Sequence, residues 1–269
     1  MLKNRAAVGL TVAATGALVT LGAVPATAAD TATVSVLHAV PDTPVDVYAN
    51  GDELIPDFQP GTLTDPMELP AGSYDIQVFP AGADPKADDP AIEGTVDVPA
   101  GANATLVAHL DEGGKPTLTP FVNDTSAVEA GQARVTVRHT AAAPAVDVRA
   151  GGKPVIEGLT NPDEKSLTVP AGTISADVVL AGTDTVAIGP ADLDLAEGSN
   201  TIVYAWGNEK SGYQLATQSI GASSAPSGVP GGTAGLVDDD GMPAGLIALS
   251  LAGLVGAGIA GRRLVATRG

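Results

Sequence analysis

Two histidines in this sequence stand in the same relation to an aspartate. His38 lies eight residues before Asp46, and His139 lies eight residues before Asp147. A histidine beside a carboxylate can act as a general acid or base, or can help to ligate a metal ion. The alternative is structural: each histidine ends a strand and is hydrogen-bonded to a neighbouring strand or loop. The spacing alone fits both interpretations.

The surrounding sequence favours the structural interpretation of these four residues. A catalytic zinc usually needs three protein ligands, and the remaining histidine, His109, corresponds to Trp206 in the second half of the chain. The sequence contains no HExxH or GxSxG motif that would mark a metalloprotease or a nucleophile elbow. We therefore predict no catalytic residue, no cofactor and no enzymatic activity.

Two further groups of residues are weaker candidates for binding. Asp84, Asp88 and Asp89 lie in one short acidic segment and could supply oxygen ligands to calcium, but they lack the ordered spacing of an EF-hand loop. A solvated turn is the favoured interpretation. Tyr204 and Trp206 fall on one face of a predicted strand, where they would form either a sugar-stacking platform or part of the core, and the core is favoured.

The chain repeats one pattern of short strands. The segments 34–38 and 135–139, and 44–47 and 145–148, match with an offset of 101. Apolar residues alternate with polar ones, and Pro, Gly and Asx residues bound each run, as in strands and turns. This pattern predicts an all-β protein with two tandem immunoglobulin-like β-sandwich domains, repeat 1 at 29–125 and repeat 2 at 131–220.

Both ends of the chain carry membrane-directed patterns. Residues 1–28 have a charged start, an apolar run and a small-residue cleavage site, which predicts a signal peptide. A Gly-, Ser- and Pro-rich linker at 221–241 precedes an uncharged run at 242–261, and the tail at 262–269 is basic. We expect a single-pass type I protein of the cell membrane with extracellular domains. Small residues repeat every four positions in the predicted transmembrane helix, so a homo-oligomer through this helix is one expected arrangement.

Charge and cysteine content narrow the function classes. Between Asp30 and Asp240 the chain has 31 acidic and eight basic residues, a net charge of −23, which excludes a general nucleic-acid binder. The chain has no cysteine, so it depends on burial rather than disulfides outside the cell. An exported, acidic, lysine-poor protein of this composition is typical of an actinobacterial envelope.

The repeated motif resembles a known family. The run from Val34 through His38, Pro41, Asp42, Pro44, Val45, Asp46 and Tyr48 to Gly51, followed by Leu69-Pro70-Ala71-Gly72, is similar to the bacterial domain of unknown function 4397. The second copy matches it at Val135, His139, Pro144, Asp147 and Gly152 but departs from it at residues 141–143. The resemblance implies secreted or surface-exposed β-sandwich modules, often in tandem, without an established activity.

These observations lead to one functional prediction with two rivals. We expect a membrane-anchored cell-envelope protein whose non-enzymatic modules act in interaction or as a spacer, with an unknown envelope protein or polysaccharide as partner. The rivals are a calcium-dependent adhesion module and an envelope polysaccharide hydrolase. The hydrolase would need converging carboxylates or a solvent-open His-Asp pair.

Overall fold

The computed structural model describes residues 30–221, which form sixteen β-strands and, within that range, no helix. The strands of the first half are β1 (Thr31–Ala39), β2 (Val45–Ala49), β3 (Asp52–Phe58), β4 (Met67–Pro70), β5 (Gly72–Pro80), β6 (Ile92–Val98), β7 (Asn103–Leu110) and β8 (Pro116–Val122). Those of the second half are β9 (Gln132–Ala142), β10 (Val146–Ala150), β11 (Lys153–Leu159), β12 (Glu164–Pro170), β13 (Gly172–Leu180), β14 (Val186–Leu195), β15 (Ser199–Asn208) and β16 (Gly212–Gly221).

The strands form four sheets of four strands each. In the first half the orders are β4-β1-β7-β8 and β3-β2-β5-β6, and in the second half β12-β9-β15-β16 and β11-β10-β13-β14. The two halves therefore have the same topology, and we call them the first and the second sandwich. In both, the first strand runs parallel to the seventh, as in the pairs β1 with β7 and β9 with β15. The all-β sandwich architecture predicted from the alternating pattern is confirmed.

The strand order differs from the immunoglobulin-like topology that the sequence predicted. An immunoglobulin constant-type domain has seven strands and places its first two strands side by side in one sheet. Here each sandwich has eight strands, and its first two strands lie in different sheets. The connection at residues 40–44 carries the chain from one sheet to the other in the first sandwich, and residues 143–145 do so in the second. Alternation reports which side chains are buried, but not which strands are neighbours.

Each sandwich has its own hydrophobic core between its two sheets. In the first sandwich this core contains Val34 and Val36 of β1 packed with Val47, Ile76 and neighbouring residues of the facing sheet. The second core is built from the corresponding positions, including Val135, Val137, Val148 and Val178. Burial of one such side chain contributes about 1.5–3 kcal/mol, so these alternating positions drive the assembly of each sandwich.

A third cluster joins the two sandwiches. Leu37 and Val107 of the first sandwich pack with Ile202, Tyr204 and Trp206 of the second, and all five are at most 4 % exposed. The sheets β4-β1-β7-β8 and β12-β9-β15-β16 therefore face each other, and we call them the inner sheets. Their central strands, β1, β7, β9 and β15, are buried on both faces. The other two sheets are the outer sheets. This double burial explains why β15 is buried along nearly its whole length.

Several predictions concern residues that the structure does not describe. The signal peptide (1–28), most of the linker (221–241), the transmembrane helix (242–261) and the basic tail (262–269) fall outside residues 30–221. Gly221, which the sequence assigned to the linker, is the last residue of β16. Within the described range, no helix is long and apolar enough to cross a membrane.

Candidate functional site

The two motif histidines are buried at equivalent places in the two sandwiches. His38 lies near the end of β1, where its Nε2 is 2.8 Å from the carbonyl oxygen of Thr43. His139 lies near the end of β9, with its Nε2 3.0 Å from the carbonyl oxygen of Pro144. In both cases the imidazole donates to a carbonyl five residues later, and both side chains are at most 1 % exposed. The contacts join the strand to the connection that crosses between the sheets.

The two motif aspartates bind backbone amides rather than the histidines. The carboxylate of Asp46 accepts hydrogen bonds from the N–H groups of Asp57 at 2.7 Å and Gly82 at 2.9 Å. The carboxylate of Asp147 accepts them from Gly158 at 2.8 Å and Gly182 at 2.9 Å. Each aspartate thus joins the end of the neighbouring strand, β3 or β11, to the turn that follows β5 or β13. The repeated His-x7-Asp spacing does not form a His-Asp pair.

Removing either aspartate is expected to lower stability measurably. The N–H groups of Gly182 and Gly158, in that order of effect, hold the pKa of the Asp147 carboxyl below its usual range, so they favour the charged form. Asp147→Ala leaves both amides without this acceptor, and we expect the Tm to fall by about 2–6 °C. Differential scanning calorimetry measures this change. Asp192→Ala, at an exposed position of β14, serves as the control, and an equal loss there would contradict the assigned role.

The three buried histidines are expected to make the stability of the protein dependent on pH. Burial lowers the pKa of His38, His109 and His139 below the ordinary value of 6.5, because desolvation opposes the imidazolium form. The unfolded chain therefore binds more protons below pH 6.5, and stability present above this pH is lost as the pH falls towards the lowered values. We expect a slope of about 1.4 kcal/mol per pH unit for each histidine in that window.

Urea denaturation between pH 7.5 and pH 5 measures this dependence. His109 is the most suitable position for a control variant, since its Nε2 lies 2.8 Å from the Thr119 hydroxyl and a glutamine can keep a polar contact there. His109→Gln removes one titrating group, so we expect the slope of stability against pH to decrease by the contribution of one histidine. A stability that is unchanged or higher at pH 5 would show that the histidines titrate normally in the folded state.

The acidic segment around Asp84 forms a turn closed by its own carboxylates. The side chain of Asp88 accepts a hydrogen bond from the Asp84 N–H at 2.9 Å, and the side chain of Asp84 accepts one from the Lys86 N–H at 3.0 Å. Asp89 is exposed beside them. Across residues 30–221 no group of three or more His, Cys, Asp or Glu residues is placed to hold a metal ion. The calcium candidates therefore have contacts typical of a solvated turn.

Tyr204 and Trp206 lie in the interface between the inner sheets, where neither is open to a sugar. Tyr204 is fully buried, and its hydroxyl donates to Gln218 Oε1 at 2.7 Å. The same oxygen accepts a hydrogen bond from the Thr105 hydroxyl of the first sandwich at 2.8 Å. Trp206 is 4 % exposed and packs against Gly61 of the first sandwich. Both aromatic residues therefore hold the two sandwiches together.

A buried arginine completes this interface. Arg138 is 1 % exposed; its Nε donates to Glu164 Oε2 at 2.7 Å and its Nη1 to the Tyr204 hydroxyl at 2.8 Å. Its guanidinium also lies 4.4 Å from the centroid of the Phe121 ring of the first sandwich. Sequence reasoning did not single out this residue. The available signal was a charged residue directly after the apolar Val137, at the position that Leu37 occupies in the first copy.

The two sheets that meet in the interface are equivalent sheets of the repeated unit, but they carry different residues. Strand register makes Leu37 equivalent to Arg138, and Phe121 equivalent to Gln218. The first sandwich contributes mainly apolar groups here, whereas the second contributes a hydrogen-bonded network. The faces are therefore complementary to each other rather than self-complementary, which favours pairing within one chain.

An apolar cavity lies between the sheets of the first sandwich. It has a volume of about 90 Å³, and its walls include Val34, Val36, Leu69, Ile76 and Val96. Its exposed lining residues belong to β6, β8 and the turn after β6, so the cavity opens between the edges of these two strands. No local sequence pattern predicts this site, because a cavity depends on how the two sheets are spaced.

Comparison with known protein families gives a match over part of the chain. The family described as "Domain of unknown function (DUF4397)" matches residues 32–149, which include nearly all of the first sandwich and continue through β9 and most of β10. No curated protein matches the chain. Among solved structures, "The Bacillus anthracis TIE protein" is similar with 12 % identity and a TM-score of 0.21, over 65 % of this chain and 33 % of that chain.

This chain thus spans about a third of the length of that structure, and the TM-score is too low to indicate a shared overall fold. The family match and the residues that carry the motif agree with each other. His38 and Asp46 fall inside the matched segment, and so do His139 and Asp147. The match of residues 32–149 to the DUF4397 family thus confirms the resemblance that the sequence motif predicted.

Proposed function

We propose that this chain is a membrane-tethered protein of the cell envelope, whose two sandwiches act as one rigid, non-enzymatic interaction unit. The observation that carries the proposal is the buried interface between the inner sheets. Because Tyr204, Trp206 and Arg138 are buried there, the sandwiches present their outer sheets and free strand edges as a single body. A pure spacer of flexibly linked domains would not need this interface.

The surface charge supports an extracellular interaction role. Residues 30–124 contain 17 acidic residues and two basic ones, a net charge of −15, whereas residues 132–220 have ten acidic and six basic residues, a net charge of −4. Since charge complementarity governs association rates and partner choice, the first sandwich favours basic or neutral partners. The difference between the sandwiches also suggests that they contact different partners.

The proposed location follows from the sequence patterns at the two ends. A signal peptide at 1–28 and an apolar run at 242–261 with a basic tail would leave the sandwiches outside the cell. Protease treatment of intact cells tests this location. We expect digestion of the sandwiches without lysis, whereas full protection until lysis would contradict it.

A pull-down from solubilised envelope extract tests the interaction role. The purified full-length chain is the bait, with and without calcium, and retained proteins and polysaccharides are both identified. A matched bait carries Arg138→Ala, which removes the contact to Phe121 across the interface. The proposal predicts a discrete species retained by the wild type and reduced with the variant. Retention of nothing by the wild type would contradict it.

A further inference from the structure

We propose that the free edge of β6, together with the apolar cavity beneath it, binds an extended basic segment of a partner protein. The segment would add as a strand beside β6 and insert one aliphatic side chain into the cavity. This inference rests on the proposed interaction function and names the surface and the partner chemistry. It combines three independent features of the first sandwich: an unblocked strand edge, an apolar opening and a negative rim.

The first feature is that β6 is an open edge strand. Within residues 30–221 it is hydrogen-bonded to β5 alone, in an uninterrupted register from Gly72 opposite Val98 to Val78 opposite Ile92. Proline and bulges commonly protect sheet edges from added strands. The other three edge strands of this sandwich, β3, β4 and β8, all contain proline, and β6 contains none.

The equivalent strand of the second sandwich is blocked. β14 contains Pro190, and its pairing with β13 shifts register on both sides of Val178. A bulge of this kind twists an edge away from pairing. The two copies have the same topology, so the open edge of β6 is a property of the first copy rather than a requirement of the fold.

The second feature is an apolar opening beside this edge. Val122 of β8 lines the cavity and is 63 % exposed, and Pro120, Pro99 and Asp97 are the other exposed lining residues. Strand register places Thr217 and Ser219 of the second sandwich at the positions of Pro120 and Val122. These positions therefore accept polar residues in the same fold. Apolar residues at an exposed opening above a cavity indicate a surface that another group covers.

The size of the cavity limits what can enter it. Its volume is about 90 Å³. An apolar cavity of roughly 150 Å³ takes one benzene molecule. This cavity is therefore suited to a branched aliphatic group such as the side chain of Leu, Ile or Val, and it is too small for the acyl chain of a lipid. Binding of one side chain in a pocket beside a free edge is the usual arrangement when a peptide adds to a sheet.

The third feature is the charge around the opening. Asp97 borders the cavity, and Glu93 and Asp111 line the groove that continues between β6 and β8, where Lys115 is the basic residue. The first sandwich as a whole has a net charge of −15 between residues 30 and 124. An acidic segment would be repelled on approach, whereas lysine or arginine residues flanking the inserted side chain would be attracted.

Calorimetric titration of the full-length chain with designed peptides tests the proposal. The probe is Lys-Thr-Lys-Val-Leu-Val-Lys-Thr-Lys, which is extended, basic and aliphatic at its centre. Three matched peptides change one property each: glutamate for lysine, alanine for the three central aliphatic residues, and N-methylated alternate residues that cannot pair with a strand. We expect the probe to bind at least tenfold more tightly than each of the three.

Variants of the protein locate the binding site. Ala104→Leu places a larger side chain in the cavity, and Val122→Ser gives the opening the residue that the second sandwich has there. Both are expected to weaken binding of the probe at least tenfold, and Val122→Ser keeps the test valid if Ala104→Leu does not fold. Asp97→Lys is expected to weaken it as well, whereas Asp194→Lys, the equivalent change on β14, should leave it unchanged.

Two outcomes would overturn this inference. One is equal affinity for the probe and the N-methylated or glutamate peptides, or no binding of the probe at millimolar concentration. The other is unchanged affinity in Val122→Ser and Asp97→Lys. A repeat of the envelope pull-down with the Asp97→Lys variant distinguishes failure of this inference from failure of the proposed function. Retention of the same partner by this variant would preserve the interaction role and exclude β6 as its site.

Discussion

Glu164→Ala is expected to destabilise the protein by about 3 kcal/mol. Glu164 is the carboxylate partner of Arg138, whose guanidinium is 1 % exposed, and the side chain of Glu164 itself is 39 % exposed. Removing it leaves a buried positive charge without its partner. This loss of stability is at the low end of the range for a broken buried ion pair, because water can partly reach the position of the lost carboxylate. Urea denaturation at pH 7.5 measures the loss.

A second pair of variants separates charge burial from packing. Glu157→Ala removes an exposed carboxylate of β11 and should change the free energy of unfolding by less than about 0.5 kcal/mol. Arg138→Leu combined with Glu164→Leu replaces the ion pair by the residue type found at Leu37 in the first sandwich. Apolar replacement of buried pairs is often neutral, so this double variant should recover most of the stability. A double variant as unstable as Glu164→Ala would contradict the explanation.

Gly61→Ala is expected to cost about 2–4 kcal/mol and to disturb the interface between the sandwiches. An added Cβ would lie 2.9 Å from Cζ2 of the Trp206 ring, and Gly61 has a φ of 77°, which disfavours alanine. Trp206 is buried and cannot move without displacing its neighbours in the inner sheets. Because it is the one tryptophan of the chain, its fluorescence reports on this contact directly.

The matched control for this prediction is Gly51→Ala. Gly51 has a similar φ of 86°, but an added Cβ would meet no atom within 4 Å. It should therefore carry the cost of backbone strain alone, about 1 kcal/mol. We expect Gly61→Ala to shift the Trp206 emission to longer wavelength and Gly51→Ala to leave it unchanged. Equal effects of the two variants on stability and emission would show that Trp206 does not pack against Gly61.

Much of the fold could be predicted from local patterns. Alternation of apolar residues identified strands, and the offset of 101 between the segments identified a repeated unit. The core residues Val34 and Val36, and their counterparts Val135 and Val137, could be recognised in the same way. What could not be predicted was the order of strands in the sheets, because period-two alternation carries no information about neighbours.

The motif residues show the same division. The sequence identified His38, Asp46, His139 and Asp147 as a repeated set, and the structure shows that each binds backbone groups of a connection, a turn or a neighbouring strand. The spacing of eight residues could not reveal this, since partners on the crossing connection and on distant turns are chosen by the fold. Val122 and Asp97, by contrast, belong to no motif, and only the cavity between them makes them candidates for binding.

The sequence by itself determined the all-β class, the repetition of one unit and the acidic composition. These properties follow from composition, periodicity and similarity between segments. The tertiary structure alone decided that the inner sheets meet, that Arg138 is buried against Phe121 and Glu164, and that β6 is an open edge beside a cavity. The physical reason is that such contacts join residues distant in sequence, and their distances depend on how whole sheets pack.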